Sequence, residues 1–382
     1  MNQPTEIQKS RDKDNREIQT QFTFFPKDSI PPSAADRTWR VSRENPSCPL
    51  GQFIGNDSAI QRLGRAAFSA MGRYNHCCSD MSFALLGPAS TGKTTLARLF
   101  AKTIDIPFVE ISPKSVSKPQ DVLIKISEVC DTSLVETPNG TYSLELVRVA
   151  PADGSPPSPK QNYFWLPPMV VFLDEVHALN SSIIQSLLKA TEKSDSIFDT
   201  GDWIVNTSNV CWMIATTDRG KLFDAFDTRF SKIFLDLYST EEMAQIIQVA
   251  NKDLDFKVCE LVAHYGGRVP REALAFATEM KLEREMSPND SWEDIASRIA
   301  EESGIDQFGM TYQRVNILRS LVDGPVSKSN LALKVGCKEE ELIKYTIPPL
   351  LTVSKNQPPL IQVNSRGYAI TDAGITELQK RQ

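Results

Sequence analysis

The stretch Phe83-Ala84-Leu85-Leu86-Gly87-Pro88-Ala89-Ser90-Thr91-Gly92-Lys93-Thr94-Thr95 decides how this chain folds. An apolar run of strand type leads directly into the spacing G-x-x-x-x-G-K-T. Leu96, Leu99, Phe100 and Ile104 then recur at helical intervals. A strand, a glycine-bearing loop and a helix in this order predict a phosphate-binding loop. Gly87 and Gly92 let the backbone turn so that successive N–H groups aim at phosphate oxygens. The helix beginning near Lys93 adds the positive end of its dipole. The loop residues Gly87, Pro88, Ala89, Ser90, Thr91, Gly92, Lys93, Thr94 and Thr95 are therefore expected to hold a nucleotide. Lys93 reaches its β- and γ-phosphates and Thr94 ligates Mg²⁺.

Some eighty residues further on, Met169-Val170-Val171-Phe172-Leu173 reads as a strand buried on both faces, and it ends in Asp174-Glu175. Carboxylates at the C-terminal edge of an α/β strand sit where such sheets bind ligands. Asp174 is placed to hold the metal through water, and Glu175 to polarise a water for attack on the γ-phosphate. Val210 to Asp218 predicts another buried strand, ending in the hydroxyls of Thr216 and Thr217. Further strands are expected at 106–111 and 232–237, and helices at about 119–130 and after Asp57 or Ser58, either of which can cap. Strands alternating with helices predict an α/β domain with a parallel sheet. The stretch 138–168 breaks the rhythm with six prolines from Pro151 onward and reads as an inserted surface loop carrying Tyr163, Phe164 and Trp165, with room for one hairpin.

The flanks differ in kind. Residues 1–36 are polar, with four prolines, and read as a disordered arm, with order starting near Trp39. The α/β pattern spans 37–237. Residues 238–306 are helical throughout, which marks a second domain. Residues 307–382 predict three helices, the third from Cys337 to Leu351, and a hairpin at Leu360–Val363 and Tyr368–Ile370, which together describe a winged helix.

Composition excludes several classes. The 382 residues are 41% hydrophobic and 24% charged, as in ordinary globular domains. No apolar run is long enough to span a membrane, and the N-terminus has no apolar signal region. Seven cysteines form no C-x-x-C and three histidines are dispersed, so neither a zinc site nor a disulfide framework is indicated, and a reducing, cytoplasmic setting is expected. The net charge of −6 is uneven. From Gln307 onward ten Lys/Arg face six Asp/Glu, a balance of +4, which leaves −10 for the rest. Nucleic-acid contact is thereby confined to the C-terminal module, with Lys344, Lys355 and Arg366 as candidate phosphate ligands.

In sequence order, Gly87 to Thr94, Val170 to Glu175, Ala215-Thr216-Thr217, Asp227-Thr228-Arg229-Phe230, Gly267-Arg268-Val269-Pro270-Arg271 and a winged helix resemble the AAA+ ATPases. Ile54-Gly55, Asp174-Glu175-Val176-His177, Val269-Pro270-Arg271, Gly324-Pro325-Val326, Ile347-Pro348-Pro349-Leu350 and Arg366-Gly367 narrow the resemblance to the RuvB family of Holliday-junction branch-migration motors, over about residues 37–378. The resemblance implies an AAA+ core, a helical lid and a DNA-binding winged helix. It also implies ATP and Mg²⁺, a homo-oligomeric ring of six, and duplex or branched DNA as partner. It gives Thr217 the sensor-1 role and Arg229 that of an arginine finger reaching a neighbour's ATP. Arg271 would contact the γ-phosphate from the lid, and Phe53 and Ile54 would lie by the adenine. The stretch from Thr191 to Val210 is shorter than in RuvB and lacks its glycine-rich hairpin tip, the part that engages the adaptor RuvA, so that partner does not carry over. The alternative class is a protein-remodelling or assembly ATPase, of clamp-loader or MoxR type, whose winged helix binds protein.

Overall fold

The computed structural model describes residues 9–11, 17–19, 48–71, 81–133, 162–166, 168–192, 196–201, 203–217, 226, 228–351 and 358–381. Trp39, His76, Asp227, Lys355 and residues 138–161 of the expected insertion lie outside these. In the arm, where no structure was expected, Lys9–Arg11 (β1) pairs antiparallel with Glu17–Gln19 (β2). Three rungs are a marginal unit that a polar sequence does not announce.

The body then runs α1 (Asp57–Met71), β3 (Ser82–Leu86), α2 (Lys93–Thr103), β4 (Phe108–Ile111), α3 (Pro119–Ser133), β5 (Asn162–Trp165), β6 (Met169–Leu173), α4 (Ser181–Ala190), β7 (Ile197–Asp199), β8 (Trp203–Asn206), β9 (Val210–Thr216) and β10 (Ser231–Phe234). Five of these strands form one parallel sheet in the order β10-β3-β9-β6-β4. β6 and β9 are buried along their whole length, which is why their sequences are continuous apolar runs. Alternate residues feed two cores. Phe83, Leu85, Phe172 and Met213 pack with α1 and α2, while Ala84, Leu86, Leu173 and Trp212 pack with α3 and α4.

Several expectations are corrected. Asp57 is already helical rather than a cap, and Asn56 before it takes a left-handed φ of 53°. The Asn56 side-chain amide exchanges two hydrogen bonds with the Asp236 backbone, tying the start of α1 to the end of β10. β10 ends at Phe234, shorter than the expected 232–237. The end of the expected insertion is a strand, not loop. β5 lies parallel to β8, which pairs antiparallel with β7, so 197–206 is a short hairpin turning at Gly201 with φ +87°. Three- and four-residue strands are too short for a period-2 pattern to register, and β5 and β8 pair across about forty residues of chain.

A four-helix layer follows: α5 (Thr240–Ala250), α6 (Phe256–Tyr265), α7 (Pro270–Met286) and α8 (Trp292–Glu302). Ser239 opens α5 with a reciprocal capping box to Glu242, and Asp255 and Ser291 cap α6 and α8. Met243, Ala244, Ile247, Val262 and Phe276 belong to the same buried cluster as Phe83 and Leu85, so the sheet and this helical layer share one apolar core.

The last module has its own core, built on Ile317, Leu318, Leu331, Leu350 and Ile361. α9 (Tyr312–Ser320) and α10 (Lys328–Val335) precede a third helix that is not regular. It runs Glu339–Glu341 as α-helix, Leu342–Thr346 as a π turn, and Pro348–Leu351 as α-helix again. Pro348 and Pro349 lack N–H groups, which forbids a continuous ladder. The wing is β11 (Ile361–Asn364) and β12 (Gly367–Ile370), and a helix the sequence reading did not include, α11 (Asp372–Gln379), packs back on α9 and β12. The architecture is an α/β core with a parallel sheet, a helical layer and a winged helix.

Candidate nucleotide site

The C-terminal ends of β3, β6 and β9 lie side by side, and each delivers part of the site. β3 turns into the 87–92 loop under close constraint. A Cβ on Gly87 would collide with the Leu235 carbonyl. Gly92, with φ +82°, starts α2 where a Cβ would lie 2.9 Å from both the Phe53 ring and the Tyr238 hydroxyl. Glycine is required at both positions, by close approach at one and by backbone conformation as well at the other. The Tyr238 hydroxyl donates to the Thr91 carbonyl at 2.9 Å, and the Thr91 hydroxyl donates to the Pro88 carbonyl at 3.0 Å, which fixes the crown of the loop. Burial pushes the Tyr238 phenol well above its ordinary range, with nearby Glu242 adding to the effect, so it stays a donor.

Lys93 is buried, and its ammonium donates to the Gly87 and Pro88 carbonyls at 3.0 and 2.7 Å. Burial lowers its pKa, and the nearby carboxylates of Glu175 and Asp174 work against that drop. Asp174 moves the other way. Burial raises its carboxyl above the ordinary range, and repulsion from Glu175 adds to this.

Glu175 has a left-handed φ of 44°, which turns its side chain out of the strand line. Its carboxylate accepts from the Thr217 hydroxyl at 3.1 and 3.2 Å and from the Thr217 amide at 3.3 Å. His177 Nδ1 lies 3.3 Å from Glu175 Oε2 and 2.8 Å from Thr216 Oγ1. Glu175 and Thr217 are thus brought together by adjacent strands β6 and β9.

A cleft of about 720 Å³ opens above this edge. Of the residues expected to serve it, Phe53, Ile54, Ala89, Ser90, Gly92, Lys93, Thr94, Thr95, Asp174, Glu175 and Arg271 line it. Gly87, Pro88 and Thr91 frame the loop from behind instead, and Thr217 reaches the cleft through Glu175. Gln52, Leu99, Tyr238, Ile246, Val249, Pro270 and Leu274 also line it and were missed. Most of them are apolar or aromatic residues that a sequence reading assigns to core. Tyr238 in particular sits at the joint between sheet and helical layer, where no motif marks it.

Arg229 is not at this cleft. It lines a separate cavity of about 300 Å³ with Ser82, Val210 and Trp212, at the opposite, N-terminal edge of the sheet. Its Nη2 donates to Glu192 Oε1 at 3.2 Å. At about 3.3 Å per residue, the strands separate the two edges by roughly 15–20 Å. Among the candidate nucleic-acid ligands, Arg366 is exposed at the wing turn, with its amide donating to Asn364 Oδ1 at 2.9 Å. Lys344 lies in the π turn of the third helix, and Lys355 is outside the described residues.

A phosphate loop, a strand-end carboxylate pair and a helical layer closing over the cleft define a P-loop ATPase. Residues 83–236 match the AAA family, the ATPase family associated with various cellular activities, and the chain is an ATP-binding, ATP-hydrolysing enzyme. Beyond that segment it is similar to RuvB, the Holliday junction branch migration complex subunit. Identity to the protein of Treponema denticola is 24% over 344 residues, 84% of this chain and 86% of that one. For Ehrlichia chaffeensis the figures are 25%, 87% and 92%. The solved Thermotoga maritima RuvB motor shares the fold with a TM-score of 0.62 at 23% identity, over 86% of this chain and 96% of that one. The chain thus carries an AAA ATPase segment and, over most of its length, is similar to RuvB at low identity. Among the described residues no helix is long and apolar enough to cross a membrane, and no group of three or more His, Cys, Asp or Glu is arranged to hold a metal.

Proposed function

We propose that this ATPase is a motor that works on duplex or branched DNA as a ring of identical subunits, six in number, in the manner of the branch-migration activity for which its RuvB relatives are named. The reading rests above all on the division of the chemistry between the two edges of the sheet. The cleft holds Lys93, Asp174, Glu175 and Arg271, while Arg229 stands at the far edge, where its own cleft is out of reach. An arginine so placed serves a nucleotide only if a neighbour docks its cleft against that edge, as in a head-to-tail ring.

In this reading Lys93 and the loop amides hold the phosphates, Glu175 takes a proton from the attacking water, and Thr217 orients both. Arg271 contacts the γ-phosphate from the lid, and the neighbour's Arg229 neutralises charge that builds in the transition state. The Thr94 hydroxyl and the Asp174 carboxylate are hard oxygen donors suited to Mg²⁺. With no all-protein metal cage among the described residues, the ion would be completed by phosphate and water oxygens, as is usual for Mg²⁺. When bound it supplies charge neutralisation at the phosphates.

The winged helix, with its +4 balance, is the DNA-contacting module, holding phosphates through Lys344, Lys355 and Arg366. The short 197–206 hairpin gives no reason to expect RuvA itself as adaptor. A second reading, a protein-remodelling ATPase, draws support from Val322, Leu333 and Val363, which stand exposed on the same module. One experiment separates the two: ATP turnover measured with no DNA, single strands, duplex and four-way junctions. A motor on DNA is stimulated, most by the structure it works on, whereas unchanged turnover on all of them at low salt would rule the DNA reading out.

A further inference from the structure

Among the described residues, the buried apolar cluster of the winged helix is separate from that of the helical layer. Polar anchors join the two. At one, Arg381 is clamped between Asp306 and Glu377, with its guanidinium over the Phe308 ring. At another, Arg314 of α9 reaches across to Glu272 of α7, Nη2 to Oε2 at 3.4 Å. Arg314 is buried, and it packs beside Gly267, in the turn that leads into α7. Glu272 follows Arg271 directly in the first turn of that helix. Successive helical residues point about 100° apart, so adjacent side chains serve different neighbours. Here Arg271 enters the nucleotide cleft while Glu272 meets the winged helix. This anchor lands on the turn that carries a cleft residue, Arg271.

We infer that Arg314 and Glu272 are positioning residues for ATP turnover: their ion pair sets where Arg271 stands in the cleft, and so links the stance of the winged helix to hydrolysis. The pair rests on the reading above in one respect, that Arg271 acts on the nucleotide. A helix start held by a buried guanidinium cannot tilt without breaking that contact. Movement of the winged helix on its partner is therefore transmitted to Arg271, and nucleotide-driven movement of α7 is transmitted back.

The test is steady-state ATP hydrolysis by the full chain, with melting temperature measured alongside, for Glu272→Gln, Arg314→Gln, Arg314→Lys, the Glu272→Gln/Arg314→Gln double variant and Arg271→Ala. Each neutralising single variant should lower kcat about fivefold or more while KM stays within about twofold, in the range of site-to-site coupling. The double variant should be no worse than either single one, because both remove the same interaction. Arg314→Lys, which keeps the charge, should recover part of the loss. Glu272 is half-exposed, so its neutralisation tests the link even if Arg314→Gln does not fold. If Arg271→Ala lowers kcat but the neutralising variants do not, or if their losses simply add, the link is wrong and the role of Arg271 stands. If Arg271→Ala itself leaves kcat unchanged, the reading of the cleft fails and this inference falls with it.

Discussion

The two edges of the central sheet differ in everything but the strands that connect them. At the C-terminal edge, groups from three strands and the helical layer converge, and burial shifts both Lys93 and Asp174 from their ordinary pKa values. At the N-terminal edge Arg229, 28% exposed, pairs with Glu192, itself 45% exposed, in a cavity of about 300 Å³. On the function proposed above, the first edge binds nucleotide and the second is offered to a neighbour's cleft, so that hydrolysis uses one edge of each of two molecules.

Breaking the edges one at a time sharpens the contrast. The largest effect is expected from Arg229→Ala, about 10³–10⁵-fold in kcat with nucleotide affinity retained, since the residue never touches its own cleft. Equilibrium binding of a fluorescent ATP analogue beside steady-state turnover checks both halves of that statement. Glu175→Gln should cost about 10²–10⁴-fold in kcat, again with binding kept, because it removes the proton acceptor and leaves the phosphate loop intact. With bound ATP persisting, this variant should elute as an assembled ring in size-exclusion chromatography; a monomer peak would argue against ring closure by nucleotide.

A smaller effect concerns pH. To hold Mg²⁺ as proposed, Asp174 would have to be ionised, and burial together with Glu175 raises its pKa above the ordinary 3.8. Mg²⁺-dependent nucleotide affinity should therefore fall, on acidification, at a pH above that value. In Glu175→Gln the repulsion is gone and the fall should move to lower pH, which a titration by calorimetry at several pH values reads directly. Least of all, Glu192→Gln should change stability by only about 0–1 kcal/mol, as for other exposed pairs, because it removes a partner at an edge open to solvent. Thermal melts check that figure, and a loss of several kcal/mol would mean that the far edge is part of the folded core rather than a presented surface.

The same contrast explains what the sequence disclosed. The C-terminal edge is written in contiguous stretches, Gly87 to Thr95 and Met169 to Glu175, where chain neighbours are also site neighbours. Their strands are legible because burial on both faces demands unbroken apolar runs. Arg229 was legible only through family resemblance, for by itself it is an arginine near a strand start. Tyr238, which caps the loop at Thr91, carries no local mark because its role depends on a fold that brings it 147 residues back along the chain. The β5–β8–β7 sheet was missed for the same reason, its pairing being long-range and its strands short. The Arg314–Glu272 pair spans 42 residues and two modules, beyond any window of periodicity.

Mixing two inactive variants tests the division of labour most directly. Lys93→Ala removes the cleft's ammonium and keeps Arg229, while Arg229→Ala keeps the cleft and loses the far edge. In an equimolar mixture whose subunits exchange, about one interface in four in a head-to-tail ring joins an intact cleft to an intact arginine. ATP turnover should then rise from near zero for either variant alone toward about a quarter of the wild-type rate. If labelled subunits demonstrably exchange and turnover stays at the level of the separate variants, Arg229 does not act across an interface and the two edges do not complete one another.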